Sequence, residues 1–396
     1  MNEILTRILK CRKCNRDISF EILDMNSAGI NGIVTCRNCM QQWAVIDSVL
    51  IDTRGFLNEQ KLQEFNARHN TNIALDLIDD TYSTFVMEGI ATKGNEFTSF
   101  IKKVASFCYY SIVLLTLSVY LFFSGSNRKS PLSDKNIEGL CGHYWHVPEM
   151  AIFKSIELTT ILEELPQRDI GVFCDFGGGD GFITSLILDS KSVRYRMNVD
   201  LFANPSPLYD IQLSQNILKS SISKDTIDTL ISVCVMEHVP AALTILPAIC
   251  DKIKPDGRLL FTMPKPEYSK SLLLRRIADK FSTKWANRYE EIDHARAFHV
   301  SLHPESEVVN ALKTAGFATV KTIPFLSPRQ LMFYDAINLP SKLSANWHFW
   351  GELYQIGERH RWVKRIMTTI TRFIIKRYTS LSTSDGNTHV LYSCVK

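Results

Sequence analysis

The sequence predicts an α/β protein built on a doubly wound, mostly parallel sheet of seven strands, with a small β module and an apolar helix ahead of it. Three observations carry this. The stretch Val172-Phe173-Cys174-Asp175-Phe176-Gly177-Gly178-Gly179-Asp180-Gly181 runs from an apolar strand through an acid into a glycine cluster and a helix start. Arg194–Val199 reads as a second strand, and the later run Ile227–Val235 is nearly all apolar, as expected of a parallel strand buried on both faces. Four cysteines fall in two C-x-x-C pairs near the N-terminus.

Composition sets the bounds. A chain of 396 residues is long enough for two or three domains, and a net charge of +4 with 22% charged residues gives no global field for nucleic acid. Six of the ten cysteines are scattered singly, which suits a reducing compartment rather than a disulfide scaffold. Residues 1–30 carry charge throughout, so no secretory leader is expected.

In chain order, residues 1–55 form the first module. Cys11-x-x-Cys14 and Cys36-x-x-Cys39, 21 residues apart, have the spacing of a closed, structural tetrahedral zinc site, with a hairpin over Ile18–Val34 between the knuckles. Residues 56–103 read as a helical linker. Val104–Phe123 then gives twenty residues without a charge, long enough at about 1.5 Å per residue to span a bilayer of about 30 Å. Lys and Arg are balanced on its two sides, so the flanking charge chooses no orientation. Its three tyrosines and four hydroxyl residues also allow a buried core or dimer helix, which leaves a homo-oligomer open. A linker over 124–144 leads to the main domain, 145–396.

That domain opens with a helix at Pro148–Leu165. Glycines at 177, 179 and 181 then let the main chain approach a ligand with no Cβ in the way. The spacing is D-x-G-x-G-x-G. A pyrophosphate fingerprint would need glycine at position 182, where Phe182 stands, and Asp175 would repel a pyrophosphate. An acid suits a ligand with a cationic end. Asp200, about 25 residues on at the end of the next strand, is where a ribose hydroxyl pair would be held. Ile227–Val235 runs into Met236-Glu237-His238, and Ile253-Lys254-Pro255-Asp256-Gly257-Arg258-Leu259-Leu260-Phe261 supplies a turn and another strand. A helix and strand over 305–323 and a final strand over 389–395 follow.

These motifs in this order resemble the class I S-adenosylmethionine (SAM) methyltransferases, of the type 11-like kind, over roughly residues 145–396. The resemblance implies SAM as cofactor, bound by Asp175, Gly177, Gly178, Gly179, Gly181, Asp200, Met236 and Glu237. The segment Asp210–Ile222 departs from it by lacking the acid that usually helps to hold the adenine. The N-terminal 55 residues are similar to the zinc-ribbon family that activates tRNA and protein methyltransferases, which implies structural Zn2+ on Cys11, Cys14, Cys36 and Cys39. Arg12 and Asp47-Ser48-Val49 depart from that family's pattern.

Two insertions, 265–303 and 327–387, are expected to choose the substrate. The first carries Tyr268, Asp293, His294, His299 and His303; the second carries a helix with Val363, Met367, Ile370 and Ile374 on one face and many cations, able to lie on an anionic membrane or to serve as a cap. The expected function is methyl transfer to an oxygen or nitrogen of a small-molecule, lipid or glycan acceptor near a membrane. His238, His294 and His299 are the candidate bases. SAM is a cytosolic metabolite, so the soluble parts are expected on the cytoplasmic side of the membrane. A tRNA or protein acceptor is the alternative, with nucleic acid disfavoured by the near-neutral charge; a non-enzymatic, membrane-tethered zinc protein is the other.

Overall fold

The computed structural model describes residues 8–11, 13–27, 29–51, 56–75, 96–123, 132–165, 169–189, 191–201, 203–217, 220–343, 349–378 and 387–396. One sheet of eleven strands runs through it, in the order β1-β2-β3-β4-β7-β6-β5-β8-β9-β11-β10. Seven of these belong to the main domain: β5 (Val172–Phe176), β6 (Tyr195–Asp200), β7 (Ile211–Ser214), β8 (Ile227–Ser232), β9 (Ile253–Pro264), β10 (Thr319–Phe325) and β11 (His389–Val395). Strands β5 to β9 pair in parallel, and β11 enters antiparallel between β9 and β10. All five residues of β5 are buried, as its unbroken apolar run requires at the centre of a covered sheet.

The remaining four strands come from the N-terminal module: β1 (Ile18–Asn26), β2 (Gly29–Cys36), β3 (Gln42–Ile46) and β4 (Val49–Ile51). This module is not a separate bead. Strand β4 pairs in parallel with β7, Val49 opposite Gln212 and Ile51 opposite Ser214. Leu9 bridges to Ile222, flanked by Lys10 N–H to the Ser221 carbonyl at 2.7 Å and Ser223 N–H to the Ile8 carbonyl at 2.8 Å. Leu9, Trp43 and Leu50 share one buried cluster with Ile211, Leu213 and Ile222. Sequence periodicity marks strands but not which edge they join.

Helices cover the sheet: α1 (Phe56–His69), α2 (Glu96–Phe123), α3 (Asp134–His143), α4 (Pro148–Glu164), α5 (Phe182–Ile187), α6 (Leu246–Lys252), α7 (Leu273–Asp279), α8 (Thr283–Ala297), α9 (Glu305–Ala315), α10 (Pro328–Leu343), α11 (Phe349–Arg359) and α12 (Arg361–Tyr378). The linker stretches 76–95 and 124–131 lie outside the described residues, as do 344–348 and 379–386 of the second insertion.

The apolar stretch 104–123 requires a correction. It is the larger part of α2, and among the described residues no helix is long and apolar enough to cross a membrane. Ser106, Tyr110, Leu114 and Leu117 recur at helical spacing and are buried on one face, and α2 packs on α11 and α12. The Tyr109 hydroxyl donates to the Ala336 carbonyl at 2.5 Å. Hydroxyls and tyrosines that temper its hydropathy therefore mark a two-faced helix. The basic helix α12 also turns inward: Val363, Met367 and Ile374 are fully buried, and Arg372 and Lys376 pair with Asp134 and Glu138 of α3. Its apolar face is spent on the protein's own core, which is the cap arrangement.

Candidate active site

Strand β5 delivers Asp175 to the carboxyl end of the sheet, and the chain turns at once through three glycines with positive φ: Gly177 at 77°, Gly179 at 53° and Gly181 at 79°. Side chains rarely adopt such angles. A Cβ on Gly177 would sit 2.4 Å from Val235, whereas one on Gly179 would meet open space. Gly177 N–H donates to the Val199 carbonyl at 2.8 Å, and Gly179 N–H donates to Asp200 Oδ2 at 3.0 Å. The two acids at the strand ends thus frame one loop.

Asp175 is buried, and its Oδ2 accepts from the Thr184 hydroxyl and, at 2.6 Å, from the Tyr209 hydroxyl. Burial raises its pKa to about 6 against the downward pull of those two hydroxyls. Tyr209 was not legible as a site residue, because it lies in a loop that carries no motif. Asp228, at the start of β8 and so at the opposite end of that strand from Glu237 and His238, is structural: it accepts from Val172 N–H at 2.7 Å and pairs with Lys254.

Three cavities converge here. One of about 200 Å³ is lined by Gly177, Asp200, Gln215, Asn216, Val235 and His238, among others. A smaller one of about 70 Å³ lies against Lys154, Asp175, Gly177, Gly178, Asp180 and Thr184. The third, about 420 Å³, is bounded by the two insertions and α4, with Phe153, Tyr268, Asp293, His299, Tyr334 and His389 in its wall. Gly177 borders the first two; Cys234 and His238 border the first and third. The cleft at the glycine loop and the larger chamber therefore share a wall.

The loop suits SAM, since its main chain is open at Gly179, and Asp175 and Asp200 each border a cavity that also touches Gly177. Two of the residues expected on the cofactor fall elsewhere. Met236 is packed in the core, and Glu237 faces the larger chamber. The short 3-10 turn Met236–His238 rotates both away from the cleft, and Cys234 and Val235 take their place. The acid-poor segment after β7 does line the cleft, through Gln215, Asn216 and Ile217.

Of the candidate bases, His238 and His299 line the chamber, with ring centres 5.6 Å apart. His294 is set back from it on α8, 3.8 Å from Glu290. His303 bonds Ser301 at 2.9 Å and Glu307 at 3.3 Å instead. The Tyr268 hydroxyl is 2.8 Å from Asp293 Oδ2 and 3.0 Å from His299 Nδ1. Lys154, Glu157 and Cys234 form a further buried network in which Lys154 Nζ lies 2.7 Å from Glu157 and the Cys234 thiol donates to Glu157 at 3.2 Å. Tyr334 and His389 carry no sequence motif, and only the fold brings their distant segments together.

Burial shifts several of the chamber's titrating groups towards their neutral forms. His299 is lowered to about 4 by burial and by His238, and His389 to about 3, chiefly by burial. Glu237 is raised to about 8 by burial despite a backbone hydrogen bond that opposes it. A carboxyl whose folded pKa lies above its unfolded value stabilises the fold below the unfolded pKa, and that contribution is lost as pH rises through the folded one. For Glu237 the window runs from 4.5 to about 8. Thermal melts of Glu237→Gln are therefore expected to lose less stability than the wild type between pH 5 and 9. Parallel melting curves would exclude the assignment.

At the N-terminus the sulfurs of Cys11, Cys14, Cys36 and Cys39 lie within 4.8 Å of one another, with Cys11–Cys39 and Cys14–Cys36 each at 3.5 Å. None forms a disulfide. A tetrahedron with Zn–S of about 2.3 Å needs sulfurs about 3.8 Å apart, so the cluster fits. Asn38 and Cys39 N–H point at Cys36 Sγ at 3.4 and 3.5 Å, as amides do around a thiolate knuckle.

In this fold the glycine loop and the paired strand-end acids meet at the carboxyl ends of the adjacent strands β5 and β6. Residues 152–322 match the family model described as "Methyltransferase domain". Among solved structures, phosphoethanolamine N-methyltransferase 2 of Haemonchus contortus in complex with SAM is similar at 13% identity and a TM-score of 0.37, covering 63% of this chain and 57% of its own. This chain thus spans little more than half the length of that protein. A SAM-dependent methyltransferase from Mesorhizobium loti is similar at 13% identity and 0.37, covering 61% of this chain and 98% of its own. One from Archaeoglobus fulgidus is similar at 12% and 0.35, covering 62% and 93%. No curated protein matches the chain.

Proposed function

We propose that this protein methylates an oxygen or nitrogen nucleophile of an acceptor enclosed in the 420 Å³ chamber. The observation that carries the reading is the wall of Cys234 and His238 common to the chamber and the glycine-loop cleft. Asp175 and Gly177–Gly179 would hold the methionyl end of SAM and Asp200 its ribose. Bound SAM supplies an electrophilic methyl group. The chain's own part is to align the acceptor and to remove its proton.

His299 is placed for the proton. The single Tyr268 hydroxyl proton goes to Asp293, so the Tyr268 oxygen accepts Nδ1–H of His299 and leaves Nε2 with its lone pair. With a pKa of about 4 the ring is neutral at pH 7. Methyl transfer is expected to hold its rate from pH 7 down to about 5, where an ordinary histidine would already be charged. His299→Ala is expected to lower kcat by on the order of 100-fold, with SAM affinity unchanged. A rate that halves near pH 6.5 would count against His299.

A second reading, methylation of tRNA or protein with the N-terminal module as activator, draws on the pairing of β4 with β7. Labelled-methyl transfer from SAM into fractionated cell extract decides. Counts in lipid, glycan or other small molecules support the first reading, and counts confined to RNA or protein support the second.

A further inference from the structure

The helical pair α7 and α8 does two things at once. Its inner side walls the acceptor chamber through Asp293 and Ala297, with Leu272 just before it and His299 just after. The pair is held firmly: Leu274 N–H and the Tyr289 hydroxyl both donate to Asp335 of α10, and Arg275 pairs with Glu290 and Asp279. Its outer end is built differently. Phe281 is 77% exposed, Trp285 66% and Ile277 43%.

Residues 280–288 read Lys-Phe-Ser-Thr-Lys-Trp-Ala-Asn-Arg, three cations and two large aromatics with no acid. Arg288 pairs with Glu291, but Lys280 and Lys284 have no ion pair among the described residues. Both lysines are exposed. Large aromatics set among free cations match the lipid–water interface, where the ring sinks below the head groups and the ammonium meets their phosphates. A protein partner would need an acidic rim around an apolar socket; an anionic bilayer offers both over any area.

We infer that the α7–α8 tip docks on an anionic membrane surface, which presents a lipid-borne acceptor to the chamber beside it. This rests on the methyltransferase reading for the acceptor, but the docking is tested separately. The purified full chain is sedimented with vesicles of phosphatidylcholine alone or with added phosphatidylserine. Three proteins are compared: wild type, Phe281→Ser with Trp285→Ser, and Lys280→Gln with Lys284→Gln. Calorimetry with SAM reports on each one's fold and cofactor cleft.

The wild type is expected to bind the phosphatidylserine vesicles in a salt-sensitive way. The lysine variant should bind about 30-fold more weakly, the equivalent of about 1 kcal/mol per cation. The aromatic variant should lose on the order of 10-fold or more, and both should keep SAM affinity. Wild type that ignores phosphatidylserine, variants that bind as wild type does, or a wild-type dimer abolished by the aromatic variant would each overturn the docking. Absence of SAM binding in the wild type would instead strike the methyltransferase reading and leave the vesicle result standing.

Discussion

Replacing Asp175 by alanine is expected to lower SAM affinity on the order of 100-fold while leaving the metal content of the chain unchanged. The carboxylate is 3% exposed and anchors two hydroxyls, Tyr209 at 2.6 Å and Thr184 on α5. It also backs the glycine loop, since a Cβ on Gly178 would fall 2.4 Å from its Oδ2. Removing it has two consequences. Tyr209 and Thr184 lose a buried acceptor, at about 1–3 kcal/mol for each group left unpaired, and an ammonium in the cleft loses its counter-charge. Burial already opposes the charge, with the pKa at about 6, so a bound cation would favour the ionised form. Asp175→Asn keeps the shape and one acceptor, and should lie between wild type and alanine. Calorimetry measures all three. Alanine binding within about threefold of wild type would remove Asp175 from the site.

What the sequence made legible follows from how local each signal is. The glycine loop, the acid at Asp200 and the C-x-x-C pairs are short patterns whose chemistry depends on neighbours in the chain, and the structure brings each together. The central parallel strand was equally legible, since a strand buried on both faces leaves an unbroken apolar run such as Val172–Phe176. Met236 and Glu237 sit on a 3-10 turn that decides which way each side chain faces, and no spacing encodes it. The chamber was visible only in part. Tyr268, Asp293 and His299 sit within one insertion, but Phe153, Tyr334 and His389 reach it from three other segments. The stretch 104–123 misled because hydropathy measures length and mean apolarity, whereas burial of Tyr110 and Leu114 against exposure of Ile112 at 64% and Val119 at 56% is a matter of faces.

Cys36→Ser, or removal of zinc by a chelator, is expected to weaken SAM binding by on the order of 10-fold or more, although no cysteine of the cluster lines the cleft. The route is the sheet. Four thiols within 4.8 Å hold the end of β2 and the two knuckles together, and structural zinc in such sites supplies roughly 10–16 kcal/mol of apparent folding energy. Without it the hairpin of β1 and β2 has only a small core of its own. Strand β4 would then leave β7, and the Leu9–Ile222 bridge would open with it. The segment between those two attachments carries Gln215, Asn216 and Ile217, three residues of the cleft wall. A freed edge strand also exposes unpaired backbone, so aggregation should accompany the loss. The dependence runs in one direction. Gly177→Arg, forced against Val235 at a φ of 77°, should abolish SAM binding yet retain one zinc per chain, because the loop lies on β5, three strands from the metal module's edge. Metal-free protein that binds SAM as tightly as the wild type would show instead that β7 and the cleft wall stand without the N-terminal module.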